Sequence, residues 1–327
     1  MPYQNFEFEE IVMPLTPDYS RSSGNRCGIV LSAGNGTRIR EFVHRLRGHD
    51  LPKQYVNFIG SRSMLEHTFQ RAEKLIPPER LYVVIAKEHL QFSEVRHQVG
   101  SRSPETVIIQ PMNKDTAPGL LLPLIYLHRR CPDAAVAVFP SDHFILEEDI
   151  FIRHVDLAFR VVEHDGSRIV LLGVEPHAPE PEYGYIVPGE EIKQPGVACV
   201  RKVELFVEKP GPEAAEKIIR RGALWNTLVM VFKATTMMNV LQRAMPDVYR
   251  SFQPLLKAIG THDEQRVLDA VHHELRPINF SSAILQALPF EHRQALLVLP
   301  VRGVTWSDWG SADRLRAGLK KMGQGDD

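Results

Sequence analysis

An α/β fold with a mostly parallel central sheet flanked by helices is what the sequence predicts, and three observations predict it. From Cys27 to about residue 175, short apolar runs alternate with segments of helical periodicity, the pattern of strands joined by crossover helices. The chain has 327 residues, 43% of them apolar, enough to bury a sizeable core. Beyond residue 175 the texture changes: Pro176, Pro179, Pro181, Gly184, Pro188 and Gly189 interrupt shorter segments, which favours a mixed, antiparallel second half.

Taken in order, "CGIVLSA" reads as a buried strand. Ser63 and Glu66 form a capping-box pattern, opening a helix with Leu65, Phe69, Ala72 and Leu75 on one face. "LYVVIA", "TVIIQ" and "AAVAVF" are further strands, and "APGLLLPLIYLHRR", apolar all round, is a helix laid on the sheet. "RIVLLGV" is the fifth strand of this Rossmann-like half. In the second half "GPEAAEKIIRRG" is a helix with Pro212 near its first turn and Gly222 just past its end. "LWNTLVMVFKA" reads as a strand, residues 235 to 273 as helices, "ALLVLPV" as a late strand and "SADRLRAGLKKM" as a terminal helix. The double histidine His272-His273 is expected on a helix surface.

Composition narrows the function. With 39 basic against 40 acidic residues there is no basic field to gather nucleic acid or an anionic membrane, so small molecules are the expected partners. Three scattered cysteines, Cys27, Cys131 and Cys199, argue against a disulfide framework and suit a reducing, cytoplasmic setting. No apolar run approaches a membrane span, and residues 1–24 lack the pattern of a secretory signal. They read as an N-terminal extension, with Phe6, Phe8 and Ile11 able to order part of it, ahead of one domain over 25–327.

The stretch "VLSAGNGTRIREFVHRLRGHDLPKQY", residues 30 to 55, carries the first chemical signal. It lacks the lysine of a P-loop, and Ile39 stands where a dinucleotide fingerprint needs its third glycine. What remains is a glycine turn after a buried strand, where backbone N–H groups can converge on an anion, with Arg38 and Lys53 as nearby cations. Taken alone, a plain turn with a solvated arginine explains it as well. Asp142, in "VAVFPSDHFI", falls just beyond a strand's carboxyl end, where ligands of open α/β sheets sit. A turn-forming aspartate accounts for it equally. Glu208-Lys209 in "FVEKP" offers an acceptor and a cation for a sugar and its phosphate, or is a surface pair. Asp308 in "WSDWGS" is a third carboxylate, or a helix cap, and no cation stands beside it in the chain. His143 reads as a structural imidazole and Trp306 and Trp309 as packing residues.

In combination these motifs resemble the sugar-phosphate nucleotidyltransferases, and among them the mannose-1-phosphate guanylyltransferases. The resemblance runs over about residues 27 to 320 through "GNGTR", "PKQ", "QPMNKDTAP", "PSDH", "YGYI", "VEKP", "LWNT" and "WSDWGS". It implies a sheet of the nucleotide-diphospho-sugar transferase type, with a nucleotide-binding half over about 25–165 and a sugar-phosphate-binding half over about 166–327. It implies that Ser32, Ala33, Gly34, Asn35, Gly36 and Thr37 hold a triphosphate with Arg38, and that Lys53 serves the reacting phosphates. Gln110, Asp115 and Thr116 would read the nucleotide, Gly184, Glu208, Lys209 and Asn226 the sugar phosphate, and Asp142 and Asp308 would share Mg²⁺. The implied partners are GTP or another NTP and a hexose-1-phosphate, giving a nucleotide-sugar and pyrophosphate; a pyrophosphorylase for another base or sugar and a non-catalytic nucleotide-sugar-binding homologue are the alternatives, and a homo-oligomer is allowed. The implied catalytic set is Arg38, Lys53 and Asp142.

The chain departs from that pattern at named places. Ala33 replaces a glycine, 13 residues separate Arg38 from Pro52 where the family has fewer, and Asp115 stands at a common asparagine. Thr227-Leu228 replaces Ser-Gly, and "NFSSAILQ" lacks an acidic residue often found there. The β-helix or cupin-like carboxy-terminal extensions of some members have no counterpart in the expected element order.

Overall fold

The computed structural model describes residues 25–192, 200–291 and 295–322. The extension over 1–24 and Cys199 lie outside the described residues. In the first part the strands are β1 (Arg26–Ser32), β2 (Leu81–Ala86), β3 (Val107–Gln110), β4 (Ala135–Pro140), the short β5 (Phe144–Ile145) and β6 (Ile169–Val174). They are followed by β7 (Gly184–Glu191), β8 (Arg201–Glu208), β9 (Leu224–Lys233), β10 (Leu296–Val301) and β11 (Trp306–Ser307). Helices α1 (Arg40–Arg47), α2 (Met64–Ala72), α3 (Ser93–Gly100), α4 (Thr116–Arg130) and α5 (Glu148–His164) connect the first strands. The later ones are α6 (Pro212–Ile219), α7 (Ala234–Ala244), α8 (Pro246–Ser251), α9 (Gln253–Ala258), α10 (Glu264–Glu274), α11 (Leu288–Glu291) and α12 (Ala312–Lys321).

The main sheet has nine strands in the order β3-β2-β1-β4-β9-β6-β10-β8-β7. β3, β2, β1 and β4 pair in parallel, as the alternation of apolar runs and helices requires. β9 enters antiparallel between β4 and β6, and β8 and β7 continue antiparallel. β7 also pairs with β9, Tyr185 opposite Trp225, so the last strands fold back on themselves. That closure carries the start of β7 and the end of β8 to the start of β9.

β2, β4 and β6 are buried along their whole length because both faces of the sheet are covered. Val30, Val83, Ala137 and Phe139 pack with α2 and α5 on one face. Cys27, Ile29, Val84, Val136 and Val138 pack with α4, α7 and α10 on the other. Truncating a residue such as Ile29 to alanine would cost about 2–5 kcal/mol. The capping box forms as expected: Glu66 N–H donates to Ser63 Oγ at 3.1 Å and Ser63 N–H to Glu66 Oε2 at 2.7 Å. The span between Arg38 and Pro52 folds into α1, which buries only Val43 and ends at Gly48 with a left-handed φ of 79°. His272 corrects an expectation: it is fully buried in α10, its Nδ1 3.1 Å from the Leu268 carbonyl, not on the surface. No helix among the described residues is long and apolar enough to cross a membrane.

Candidate functional site

The glycine turn after β1 and the Pro-Lys-Gln that follows α1 form one unit. Gln54 Nε2 donates to the carbonyls of Ser32 (2.9 Å) and Gly34 (2.7 Å), and Tyr55 Oη donates to Ser32 O at 3.0 Å. Gly36 is left-handed, φ 57°, and a Cβ there would lie 3.1 Å from the Lys53 nitrogen, so glycine is demanded by both conformation and contact. His89 completes the brace, Nε2 3.3 Å from Asn35 Oδ1 and Nδ1 3.1 Å from Tyr55 Oη. Pro-Lys-Gln therefore follows closely because the Gln54 side chain occupies two of the turn's own carbonyls, leaving Ala33, Gly34, Asn35 and Gly36 to line a cleft.

That cleft, about 710 Å³, collects most of the residues singled out by sequence. Arg38, Gln110, Asp115, Thr116, Asp142, Gly184, Glu208, Lys209, Asn226 and Asp308 all line it. Ser32 lies beneath it, buried, and Thr37 opens a short 3₁₀ turn; neither is among the lining residues. A second cavity of about 550 Å³ lies beyond His143, against Phe58, Met64, Phe144, Leu146 and Trp309. Its Arg71 and Lys74 are taken up by Glu148 (2.8 Å) and Asp149 (2.7 Å).

At the cleft floor the carboxylates are met by cations of the protein itself. Lys53, 3% exposed, places Nζ 2.7 Å from Asp142 Oδ2 and also donates to the Asp308 backbone carbonyl. Asp308, bare in the chain, is not bare in space: Arg38 Nη2 lies 3.2 Å from its Oδ2, and Arg314 Nε lies 3.0 Å from its Oδ1, off the hydrogen-bonding direction. Tyr183 Oη (2.8 Å) and Gly310 N–H (2.9 Å) donate to the same Oδ1. Burial alone would raise both carboxyls. The charge and hydrogen bond of Lys53 at Asp142, and the charges of Lys53 and Arg314 at Asp308, outweigh it and hold both below the usual carboxylate range. Burial pushes His143 down to about 4, against the pull of Asp142, so this imidazole is neutral; it packs edge-on to Trp306 at 5.1 Å. Trp309 is packed as expected, stacked on Phe144 at 4.5 Å.

The opposite wall is built by the fold-back of the sheet. Gly184 pairs with Glu208, and a Cβ on Gly184 would come within 2.7 Å of Glu208 Oε2, so the missing side chain makes room for that carboxylate. Burial raises the Glu208 carboxyl against the opposing charge of Lys209. Lys209 adopts a left-handed φ of 48° and donates its N–H to Tyr183 O at 3.1 Å. Asn226 Oδ1 accepts from Leu228 N–H at 3.1 Å. Near α4, Gln110 Nε2 donates to Met112 O at 2.7 Å, leaving its buried Oε1 without a partner. Asp115 caps α4 through Thr116 N–H at 2.6 Å, and Thr116 Oγ1 accepts from Phe280 N–H at 2.8 Å. Sequence reasoning missed Glu182, Asn279 and Arg314. Arg314 has a local signal in its N–H, 3.2 Å from the Ser311 cap of α12, and Asn279 in its Oδ1, which accepts from Ser282 N–H at 3.0 Å; Glu182 meets Arg38 across 144 positions.

A braced glycine turn and a lysine on two aspartate positions face a Glu-Lys wall, and residues 27–324 match the family model described as nucleotidyl transferase. The chain belongs to the sugar-phosphate nucleotidyltransferase family. This nucleotidyltransferase is 28% identical over 301 residues to "Xanthan biosynthesis protein XanB" of Xanthomonas campestris pv. campestris, covering 91% of this chain and 60% of that one. It is 26% identical over 302 residues to a "Mannose-1-phosphate guanylyltransferase" of Escherichia coli, with the same coverages of 91% and 60%. The chain thus spans about 60% of the length of these curated relatives. Among solved structures, one described as a "mannose-1-phosphate geranyltransferase" of Thermus thermophilus shares the fold, with a TM-score of 0.74 and 24% identity over 92% of this chain and 80% of that one. The nucleotidyltransferase fold expected from the sequence is the fold observed.

Proposed function

We propose that the protein joins GTP and mannose-1-phosphate to give GDP-mannose and pyrophosphate. One observation carries this reading: a single cleft is lined by the glycine turn and Asp142, which the buried Lys53 meets from beneath, and by Glu208, Lys209 and Asn226. In the reaction a phosphate oxygen of the sugar phosphate attacks the α-phosphorus in line and pyrophosphate leaves. The attacker is already an anion, so no general base is needed; the task is to hold two anions together and neutralise the leaving group. On this reading residues of about 25–165 hold the nucleotide, Arg38 and the turn taking the triphosphate, and Lys209 of the second half takes the sugar phosphate.

The guanine preference is supported by Gln110. Its Nε2 is committed to Met112 O, which leaves the buried Oε1, at the edge of the cleft, as an unpartnered acceptor of the kind the N1–H and amino donors of guanine require. Asp115 supports this less, being occupied as the cap of α4.

The donor set fits one hard cation shared with phosphate oxygens. Asp142 meets Lys53 through Oδ2 and has the neutral His143 Nε2 3.9 Å from Oδ1, while Arg38 lies 3.2 Å from Asp308 Oδ2 and has to move before that oxygen can take a metal. No group of three or more His, Cys, Asp or Glu among the described residues could hold a metal by itself. Mg²⁺ held by Asp142 and Asp308 would supply charge neutralisation for the triphosphate. The test is pyrophosphate release over a grid of four NTPs and several hexose-1-phosphates, with GTP and mannose-1-phosphate expected to exceed every other pair at least about tenfold. Equal turnover of ATP or UTP removes the guanylyl assignment, and no release from any pair removes the transferase reading.

A further inference from the structure

The proposed chemistry leaves Glu182 unused, yet it holds the cation assigned to the triphosphate. Its Oε2 lies 2.6 Å from Arg38 Nη1 and 2.7 Å from Arg314 Nη2. Arg38 Nη2 is also 3.2 Å from Asp308 Oδ2. We propose that Glu182 is a resident stand-in for phosphate on Arg38, a positioning residue that sets nucleotide affinity because an incoming triphosphate has to displace it. This rests on reading the cleft as an NTP site.

The geometry makes the exchange cheap and directional. Arg38 is 51% exposed at its side chain and lines the cleft, so water screens its pairs and a ligand can reach it. When Arg38 leaves, Glu182 keeps Arg314, and Asp308 keeps Tyr183, Gly310 and Arg314, so no carboxylate is stranded without a partner. The loop that carries Glu182 is pinned: Glu180 N–H donates to Tyr185 Oη at 2.8 Å, and Tyr185 Oη donates to Glu180 O at 3.0 Å. Glu180 Oε2 in turn sits 2.6 Å from Arg314 Nη1. The long arginine is therefore the part that moves. A triphosphate brings several charges against one carboxylate and wins the exchange, whereas a ligand with a single charge gains little by it. Glu182 thereby favours triphosphates over more weakly charged anions.

Calorimetric titration of GTP and of inorganic tripolyphosphate into wild-type protein, Glu182→Gln, Arg38→Gln and the double variant tests this. Glu182→Gln is expected to bind both ligands about 2- to 5-fold tighter, the range an exposed ion pair can withhold. Its KM for GTP should fall in step while the KM for mannose-1-phosphate stays unchanged. In the Arg38→Gln background the same substitution should change nothing, because the competition runs through Arg38. Equal or weaker binding by Glu182→Gln, or an undiminished gain without Arg38, overturns the stand-in while leaving the nucleotide reading intact. If wild-type protein bound none of the four NTPs, the nucleotide reading itself would fall, and the stand-in with it.

Discussion

Lys53 Nζ lies 2.7 Å from Asp142 Oδ2, and the lysine is buried while the aspartate is 37% exposed at its side chain. The lysine thus brings a charge beneath the cleft floor that the Asp142 carboxylate, the Asp308 carbonyl and the charge of the Asp308 carboxylate compensate. Replacing Lys53 by methionine should lower turnover about 10²–10³-fold, the effect of removing one preorganised cation from developing negative charge. The loss of stability should be smaller, about 1–3 kcal/mol, because water can take up part of the Asp142 charge. Single-turnover pyrophosphate release and urea unfolding measure the two separately, and unchanged turnover would remove Lys53 from the reacting centre.

Gln54 holds two carbonyls of the glycine turn with one amide group. Gln54→Leu keeps the volume and removes both bonds, so the buried Ser32 carbonyl loses one side-chain donor and keeps Tyr55 Oη. Stability should fall by about 1–3 kcal/mol and the KM for the nucleotide should rise more than that for the sugar phosphate. Equal changes in the two constants would show that the brace does not shape the nucleotide side.

Lys209 stands on the far wall beside Glu208, its left-handed backbone pinned to Tyr183. Lys209→Ala is expected to raise the KM for sugar phosphate about 10- to 150-fold, the worth of one charge-assisted phosphate contact of about 1.5–3 kcal/mol. The nucleotide constant should move far less. Initial rates with each substrate varied in turn decide this, and equal shifts would count against a division of labour between the walls.

His272 is buried against Phe252, and burial lowers its pKa even though Leu268 O and Asp269 favour the charged form. Its folded pKa lies below the unfolded value of about 6.5, so the unfolded chain takes up the proton first as pH falls. Stability should drop as pH goes from about 6.5 towards the folded value, with a slope of up to about 1.4 kcal/mol per pH unit from this group. His272→Asn should have a shallower acid limb in denaturant unfolding between pH 7 and 5 than the wild type. Parallel limbs would show that His272 contributes nothing to the pH dependence.

His272 also marks how far a sequence can be read. The helix of α10 was legible, and so was the signal for burial, since His272 follows Leu268 by one helical turn and shares the face of Val271 and Leu275. The polarity of the doubled histidine hid it. The strands β1 to β4, the Ser63 capping box and the terminal helix were legible because each is specified by neighbours a few positions away. Arg38, Asp142, Glu208 and Lys209 were legible as chemistry, each standing at a strand end or turn where a side chain can face a ligand, and Lys53, the cation that meets Asp142, was legible as a cation near the glycine turn.

The sequence by itself therefore determined the local alphabet of this protein: which runs become strands, which faces are apolar, and which polar residues stand at strand ends. Only the tertiary structure decided who meets whom. β9 inserting antiparallel beside β4, and β7 closing back on β9, put Gly184 and Glu208 opposite the glycine turn. Nothing in the periodicity of either strand specifies that register, because pairing is chosen by how two whole cores fill on the sheet's two faces. The same holds for charge. Asp308 looks bare among Ser307 and Trp309, and it acquires Arg38, Arg314, Tyr183 and the ammonium of Lys53 only when folding brings distant segments within a few ångströms. Coulombic and hydrogen-bond energies depend on distance in space, so a sequence can show that a carboxylate is present but not which cation will answer it.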